Sequence, residues 1–241
     1  MIMPFTGNKS AALDHLADDL WAVATLAERY NHEAQRWHGL LQRLGYLYAY
    51  EQFFATLYRQ ALLPHGGCVV DCGIGSGGLS LGLLRASRGA WQLEGVDIAA
   101  QMLVAAHHVL TPALASGADA GRLTALRLHC ADVRQLPLAD QAADLAISAH
   151  MLEHLVDPQV ALREMARVLR SGAPVVVVIT RQGWWGSYVR RKWGVTCVTA
   201  AQACTWLRQA GFAEVRLVPL PTPFLPCAWS SLACIGFKPK C

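Results

Sequence analysis

The sequence predicts an α/β protein with a mostly parallel β-sheet that is covered by helices on both faces. From Gly67 onwards, short apolar runs alternate with segments of helical periodicity, as in strands that are buried on both sides. Near the end of the chain, two strand-like runs follow each other without a helix between them, which indicates an antiparallel pair at one edge. The composition agrees, because 54% hydrophobic and 16% charged residues exclude a disordered chain.

Residues 1–66 are predicted to form a helical extension that precedes a core at residues 67–241. The extension is rich in helical periodicity and contains no strand-like run. Its spacing of apolar residues predicts three helices, with breaks after Glu33 and at Gly45: Ala11–Glu33, Ala34–Leu44 and Tyr46–Leu63.

The core is predicted to contain seven strands and at least four helices. Apolar, partly β-branched runs bounded by turn residues predict these strands: Cys68–Asp71, Trp91–Val96, Leu123–Cys130, Ala143–Ser148, Pro174–Ile179, Ala213–Val218 and Ala228–Phe237. Helical periodicity between them predicts these helices: Gly78–Ala86, Ala99–Leu110, Pro158–Leu169 and Ala200–Ala210. The Ala/Gly-rich stretch 111–121 is the nearest approach to a linker.

The net charge of +4 is unevenly distributed along the chain. Residues 1–66 carry −1 and residues 67–180 carry −2. Residues 181–241 hold eight basic side chains and a single acidic one, Glu214, which gives +7. We therefore expect the positive field to lie at the C-terminal quarter of the chain.

The sequence indicates a reducing compartment and no structural metal. Its eight cysteines include no C-x-x-C pair, and the first ten residues lack the charged and apolar regions of a secretory signal. The uncharged stretch 217–237 is long enough for a bilayer but contains four prolines, so a membrane span is not expected. We expect a cytoplasmic protein that binds no metal.

A glycine-rich turn directly follows the first core strand and fits two ligand-binding patterns. Gly73, Gly75 and Gly78 satisfy the G-x-G-x-x-G of dinucleotide sites, whose pyrophosphate lies at a helix N-terminus. Gly73, Gly75 and Gly77, preceded by Asp71, instead fit an acidic residue followed by G-x-G-x-G. A carboxylate at this strand end repels a pyrophosphate but attracts cationic ammonium and sulfonium groups, so the second interpretation is favoured.

Three acidic residues end three successive predicted strands. Asp97 ends the second strand, where a carboxylate can accept hydrogen bonds from both hydroxyls of a ribose. Asp132 follows the third strand, where it can accept from an adenine amino group. Together with Asp71, these side chains should converge on the carboxyl edge of the sheet, which is where open α/β folds bind ligands.

On these residues the sequence resembles the class I S-adenosylmethionine-dependent methyltransferases, in particular the small-molecule, methyltransferase type 11-like branch. The resemblance covers about residues 67–237 and rests on the glycine-rich turn with its preceding Asp71, on Gly95-Val96-Asp97, on Asp132 and on Leu152-Glu153-His154-Leu155. It implies a Rossmann-like three-layer sandwich with a seven-stranded sheet whose last strand is antiparallel. The implied cofactor is S-adenosyl-L-methionine, which leaves as S-adenosyl-L-homocysteine.

The resemblance also implies roles for individual residues around this cofactor. It puts Asp97 on the ribose, Ile98 and Met102 along the adenine, and Asp132 and Val133 at the rim of the adenine. The remaining implied contacts are Ser148 near the methionine moiety and, from a helical segment folded over the cofactor, Tyr30 and Trp37.

Methyl transfer is an in-line displacement from a good leaving group, so it needs positioning first and a base only for a protonated nucleophile. His150 and His154 follow the fourth strand and are the candidate bases. Glu153, which lies between them, is interpreted as a helix-start acid.

Substrate contacts are expected from the aromatic and basic segment 181–193, which follows the fifth strand. Its candidate substrate residues are Arg181, Trp184, Trp185 and Tyr188. The expected substrate is a small molecule, anionic or aromatic, with an oxygen or nitrogen nucleophile, bound by a monomer or homodimer.

Three alternatives stay open at this point. Arginine next to aromatic residues also suits stacked RNA bases, which would make the protein an RNA or tRNA methyltransferase. The slightly acidic remainder of the chain weighs against nucleic acid as a partner. A nicotinamide-dependent oxidoreductase is disfavoured by Asp71. A protein that binds the cofactor without methylating is compatible with every pattern described above.

Overall fold

A seven-stranded sheet with helices on both faces makes up the computed structural model, which describes residues 9–115, 122–221 and 229–240. The strands are β1 Gly67–Cys72, β2 Trp91–Asp97, β3 Leu123–Cys130, β4 Leu145–Ala149, β5 Pro174–Thr180, β6 Ala213–Val218 and β7 Ser231–Phe237. The helices are α1 Lys9–Arg43, α2 Tyr46–Arg59, α3 Gly78–Ala86, α4 Ala100–Leu110, α5 Pro112–Ala115, α6 Pro158–Val168, α7 Trp184–Trp193 and α8 Ala200–Gln209, with a 3-10 helix at Leu152–His154.

The strand order is β3-β2-β1-β4-β5-β7-β6, and β7 runs antiparallel to both of its neighbours. The pairs among β1 to β5 are parallel. The predicted mostly parallel sheet with an antiparallel last strand is therefore confirmed. The chain order reverses between β1 and β4, and the crevice at such a switch point is the usual ligand site of an open α/β sheet.

Alternate residues of the central strands face opposite sides, and each side has its own hydrophobic cluster. Val69 on β1 belongs to the cluster that includes α2, α3 and α4, whereas Val70 belongs to the cluster that includes α6 and α8. On β5, Val176 and Val177 divide in the same way. Because both faces are covered, the strands consist of nearly continuous apolar residues, and the predicted three-layer sandwich is confirmed.

The N-terminal segment differs from the prediction, since α1 continues from Lys9 to Arg43 where a break was expected after Glu33. No proline or glycine lies near Glu33, so nothing local ends the helix there. The inward stripe also continues through this point at spacings of three and four: Leu26, Tyr30, Ala34, Trp37 and Leu41. The prediction of two separate helices was wrong for this reason.

Helix α2 begins, as expected, after Gly45, which has a left-handed φ of 79°. Phe53 and Phe54 of α2 are fully buried and belong to the same cluster as β1 and β2. A Cβ on Gly82 would lie 2.6 Å from the Cβ of Tyr50, so glycine at this point of α3 lets the two helices approach closely. The division of the chain at residue 66 stays a prediction.

The segment after β5 contains helix α7, whereas the sequence indicated only an aromatic and basic insertion. The predicted start of β7 at Ala228 falls outside the described residues, and within them β7 begins at Ser231. None of the helices that the structure describes combines the length and the apolar character that crossing a bilayer requires.

Candidate active site

A cavity of about 270 Å³ opens at the carboxyl ends of β1, β2 and β4, below helix α1. Twelve of the residues that the sequence singled out line this cavity, although they come from five separate stretches of chain. They are Tyr30, Trp37, Asp71, Gly73, Gly75, Asp97, Ile98, Met102, Asp132, Val133, His150 and His154.

The glycine-rich turn forms one wall, and its own structure already uses most of its backbone donors. The N–H groups of Gly73 and Ile74 donate to the carbonyl of Val96, and that of Gly77 donates to the carbonyl of Ile74. The N–H of Gly75 donates to Oδ2 of Asp97 at 2.9 Å. These four donors are not offered to an anion, which weighs against a pyrophosphate at this turn.

Asp71 is a buried carboxyl with one oxygen satisfied and one open. The hydroxyl of Ser80 donates to Oδ2 at 2.6 Å, while Oδ1 has no hydrogen-bond partner among the described residues. Burial raises the pKa of Asp71 to about 7, and the charge of Asp97 adds to the rise, while the bond from Ser80 opposes it. A buried carboxylate with an open oxygen on a cavity wall is suited to a cationic ligand group.

Asp97 ends β2 with both of its oxygens oriented by the backbone. Oδ2 accepts from Gly75, and Oδ1 accepts from the N–H of Ala99 at 2.9 Å. Burial raises the pKa of this carboxyl, and the backbone N–H groups of Ala99, Gly75 and Ile98 act in the opposite direction. Each carboxylate oxygen has about two lone-pair sites, so both oxygens can still accept from a ligand hydroxyl.

Asp132 follows β3 and is engaged by Arg134. The backbone N–H of Arg134 donates to Oδ1, and its Nη2 donates to Oδ2, both at 2.8 Å. Both residues line the cavity. A ligand amino group that reaches Asp132 therefore shares the carboxylate with a guanidinium.

Tyr30 and Trp37 reach the cavity from α1, on the side opposite the strand ends. The hydroxyl of Tyr30 lies 2.8 Å from Nε2 of His154, and the rings of Tyr30 and Trp37 meet edge to face at 5.6 Å. Burial, reinforced by the charge of Glu153, raises the pKa of Tyr30, so its hydroxyl stays protonated. Burial lowers the pKa of His154, which favours a neutral ring that accepts from Tyr30.

Arg29 connects α1 to the end of α7. Its guanidinium donates to the carbonyl of Lys192 at 2.7 Å and to that of Trp193 at 2.9 Å, and it lies 5.3 Å from the centre of the Trp193 ring. Trp193 in turn meets Trp37 edge to face at 4.8 Å. A cation at the last carbonyls of a helix is favourable, so this contact holds α7 against α1.

His150 is held at both ring nitrogens and has a left-handed φ of 54°, an uncommon value for a residue other than glycine. Its Nδ1 lies 3.0 Å from Oε1 of Glu153, and its Nε2 lies 3.2 Å from Oγ of Ser231. Glu153 is fully buried, and Thr180 donates to the same Oε1 through its N–H at 3.1 Å and its hydroxyl at 2.6 Å.

Glu153 carries a negative charge in this arrangement, which fixes the proton on the His150 ring. Burial alone would raise the pKa of Glu153, but the hydrogen bonds from His150 and Thr180 outweigh it and lower the pKa below its usual value. An ionised carboxylate only accepts hydrogen bonds, so Nδ1 of His150 is the donor. In the neutral ring the lone pair then lies on Nε2, which accepts from Ser231.

Six of the singled-out residues lie outside the cavity lining. Gly77 is the left-handed residue that precedes α3, and Ser148 is buried, donating to the carbonyl of Cys72 at 2.7 Å. The other four are exposed or partly exposed and belong to segment 181–193, which contains α7: Arg181, Trp184, Trp185 and Tyr188.

Polar residues at or near the cavity that sequence reasoning missed include Arg29, Arg134, Glu153 as a partner of His150, and Ser231. The spacing of three between His150 and Glu153 was a usable signal, because a turn brings such positions together. Ser231 follows His150 by 81 residues and reaches it through the pairing of β7 with β5, which no local pattern indicates.

Comparisons with known proteins agree with this geometry. Residues 70–177 match the family model described as a methyltransferase domain. Over 120 residues the chain is 35% identical to the ubiquinone/menaquinone biosynthesis C-methyltransferase of Syntrophotalea carbinolica, which covers 50% of this chain and 46% of that protein. Over 110 residues it is 36% identical to the dimethylglycine N-methyltransferase of Parasynechococcus marenigrum. This alignment covers 46% of this chain and 36% of that protein. The aligned segment thus spans less than half the length of each relative.

The fold is also similar to that of solved structures. An S-adenosylmethionine-dependent methyltransferase from Thermotoga maritima superposes with a TM-score of 0.63 at 21% identity, covering 90% of this chain and 99% of the other. At this identity the likeness concerns the fold alone, whereas the match over residues 70–177 concerns the sequence. Together they show that residues 70–177 are similar in sequence to methyltransferase domains and that the chain has a fold like that of S-adenosylmethionine-dependent methyltransferases.

Proposed function

We propose that this chain binds S-adenosyl-L-methionine in the cavity and transfers its methyl group to a nucleophilic atom of a small molecule. The observation that carries the proposal is the meeting of Asp71, Asp97 and Asp132 in one cavity at the switch point of the sheet. When bound, the cofactor supplies a methyl group on a positively charged sulfur, which is a good leaving group.

The carboxylates fit the polar groups of this cofactor by their chemistry. Asp71, whose Oδ1 is open and buried, is assigned to the cationic amino group of the methionine part. Asp97, with two preoriented oxygens, is assigned to the two ribose hydroxyls. Asp132 with Val133 is assigned to the rim of the adenine, and Ile98 and Met102 supply its apolar wall. Tyr30 and Trp37 cover the site from α1.

His150 is the proposed base for a nucleophile that arrives protonated. Glu153 holds the Nδ1 proton, which leaves the lone pair on Nε2, and His150 lines the cavity. A substrate hydroxyl or amine can give its proton to His150 once the ring turns Nε2 from the buried Ser231 hydroxyl, which lies outside the cavity lining, towards the cavity. His154 is assigned a different task, because its Nε2 is occupied by Tyr30, and it holds α1 over the site.

The test of cofactor binding uses Asp97. We expect S-adenosyl-L-homocysteine to raise the melting temperature of the wild type, and Asp97→Ala to lower the affinity more than 100-fold, since two charge-assisted hydrogen bonds are worth about 3 kcal/mol together. Asp140→Ala removes a surface carboxylate outside the cavity and should leave the affinity unchanged. Unchanged affinity in Asp97→Ala, with circular dichroism showing a folded protein, would refute the assignment.

The test of transfer distinguishes the alternatives. With methyl-labelled cofactor and a cell extract, the label should appear in the small-molecule fraction. Label in the RNA fraction would favour an RNA methyltransferase that uses segment 181–193, and cofactor binding without transfer to either fraction would favour a non-methylating protein. Binding of NADH in the cavity would favour the oxidoreductase.

A further inference from the structure

The outward side of α7 presents aromatic and basic side chains together. Trp184, Tyr188 and Arg191 are spaced by four and three residues, so they lie on one side of the helix. Trp184 is 83% exposed and Tyr188 is 58% exposed. Gly186 lies on the opposite side and is the one buried residue of α7; a Cβ there would overlap the carbonyl of Arg181. This glycine lets the helix lie flat on the protein with its aromatic side facing outwards.

The exposed rings form one continuous surface. The Trp184 and Trp185 rings are stacked at 5.6 Å, Trp185 meets Tyr188 edge to face at 6.2 Å, and Trp229 lies 5.8 Å from Trp185. We call these four residues the aromatic face. Exposed aromatic clusters of this kind indicate an interaction surface rather than a solvated helix.

Cations lie on and beside α7, and the spacing puts Arg191 and Lys192 on its outward side. Arg181, Arg190, Arg191 and Lys192 are all exposed, and they form no ion pair with any carboxylate among the described residues. Residues 181–193 contain these four cations and no acidic residue. A partner of this surface must therefore combine negative charge with an apolar layer.

We propose that the aromatic face and its cations dock on the surface of a bilayer that contains anionic phospholipid. Tryptophan and tyrosine are the residues that favour the membrane–water interface, where the ring lies in an apolar layer and the polar atom remains hydrated. Arginine and lysine beside them meet the anionic headgroups. The chain lies on the bilayer in this proposal and does not cross it.

The position of α7 gives such docking a direction. The helix follows β5 at the carboxyl edge of the sheet, and Trp193 and Gly194 at its end line the cavity. A docked molecule therefore holds its cavity close to the bilayer surface. If the proposed methyl transfer holds, the substrate class that this arrangement favours is an amphiphile that partitions into the bilayer.

Two other occupants fit the surface less well. A second copy of the same face would bring two sets of unpaired cations together, which is repulsive. Proteins that bind single-stranded RNA hold its backbone in a positively charged groove, whereas α7 presents the convex surface of a helix.

The proposal is tested by cosedimentation of the full chain with phospholipid vesicles. We expect binding to vesicles of phosphatidylglycerol and phosphatidylcholine, weak binding to phosphatidylcholine alone, and release by high salt. Arg191→Gln with Lys192→Gln should weaken binding about 25-fold, at about fivefold for each cation. Trp184→Ser with Tyr188→Ser should weaken it about tenfold or more.

Matched controls come from other surfaces of the chain. Tyr48→Ser replaces a tyrosine on α2 that is also 58% exposed, and Arg163→Gln with Arg208→Gln removes two exposed arginines on α6 and α8. Both controls should bind vesicles like the wild type. Absence of wild-type binding to anionic vesicles, equal losses in the controls, or binding of a single-stranded RNA that depends on the same residues in place of vesicles would overturn the proposal. Asp97→Ala should bind vesicles normally, so failure of cofactor binding and failure of docking are separately visible.

Discussion

The two walls of the cavity are constructed differently. On the strand side, Gly73, Gly75 and Asp97 are joined to the sheet by backbone hydrogen bonds, which any ligand finds already in place. On the α1 side, the described hydrogen bonds that close the wall come from single side chains: Arg29 to the end of α7, Tyr30 to His154, and Asn31, whose Oδ1 accepts from the N–H of Gln101 at 2.9 Å.

This difference indicates which wall yields when a ligand enters. Breaking the strand wall disrupts the sheet edge. Releasing α1 separates only the small cluster of Ala34, Ala99 and Met102 and breaks a few hydrogen bonds that are partly exposed to water and worth about 1 kcal/mol each. The strand wall is thus expected to be preformed, and the α1 wall to open. Each of the following predictions tests one of the walls.

The largest effect is expected from Gly73→Ala in the strand wall. Gly73 has a φ of 74°, and a Cβ would lie 2.5 Å from the side chain of Met151. We expect the free energy of unfolding to fall by about 3 kcal/mol, from the left-handed backbone and the overlap together, with loss of S-adenosyl-L-homocysteine binding. Urea denaturation and calorimetry measure the two quantities.

Gly211→Ala separates the two causes. Gly211 also has a positive φ, 93°, but a Cβ there meets open space, and it lies far from the cavity lining. Gly211→Ala should lower the free energy of unfolding by about 1 kcal/mol and leave S-adenosyl-L-homocysteine binding unchanged. An equal loss of unfolding free energy in both variants would contradict the prediction, because it would show that the glycine-rich turn shifts to accept the extra Cβ.

A smaller effect is expected from Asp71→Asn, which should weaken ligand binding but stabilise the empty protein. Removing the carboxylate should weaken S-adenosyl-L-homocysteine binding about 10- to 100-fold, since a charged partner of its amino group is lost. Wild-type affinity should rise with pH as Asp71 ionises near pH 7, by up to about tenfold per pH unit, whereas the variant should show no such step. Isothermal titration calorimetry at pH values from about 1.5 units below to about 1.5 units above the pKa of about 7 measures the affinity of the wild type and of the variant.

The same variant should stabilise the empty protein. The folded-state pKa of about 7 lies above the unfolded value near 4, so the wild type loses stability as pH rises from about 4 to about 7 and loses no more above that range. The difference in melting temperature, Asp71→Asn minus wild type, should therefore grow over this window and then stay constant. A difference that does not change with pH would contradict a buried ionising carboxyl.

The smallest effect is expected from Arg29→Gln in the α1 wall. It removes two hydrogen bonds to the end of α7 but leaves the buried clusters untouched, so the melting temperature should change little. Amide exchange in the middle of α1 should become about fivefold faster, and ligand affinity should fall about threefold. Arg36→Gln, an exposed arginine on the same helix, is the control and should behave as the wild type.

The sequence predicted the strand wall well because that wall depends on local chemistry. A turn rich in glycine and an acidic residue at the end of each strand are visible without knowledge of which strands are neighbours. The α1 wall was less predictable: the continuity of α1 through Glu33 depends on packing against the cavity, and the link from Arg29 to Trp193 joins positions 164 residues apart. The partners of His150 depend likewise on the pairing of β5 with β7.

Arg29 binds the main chain of residues 192 and 193 rather than their side chains. Every amino acid offers the same carbonyl oxygen, so this contact does not depend on which residues stand at those positions. The outward side chains of α7 can consequently diverge during evolution, or be exchanged by engineering, while the closure over the cavity is inherited unchanged. The fold thus separates the part of the helix that can vary from the part that keeps the site shut.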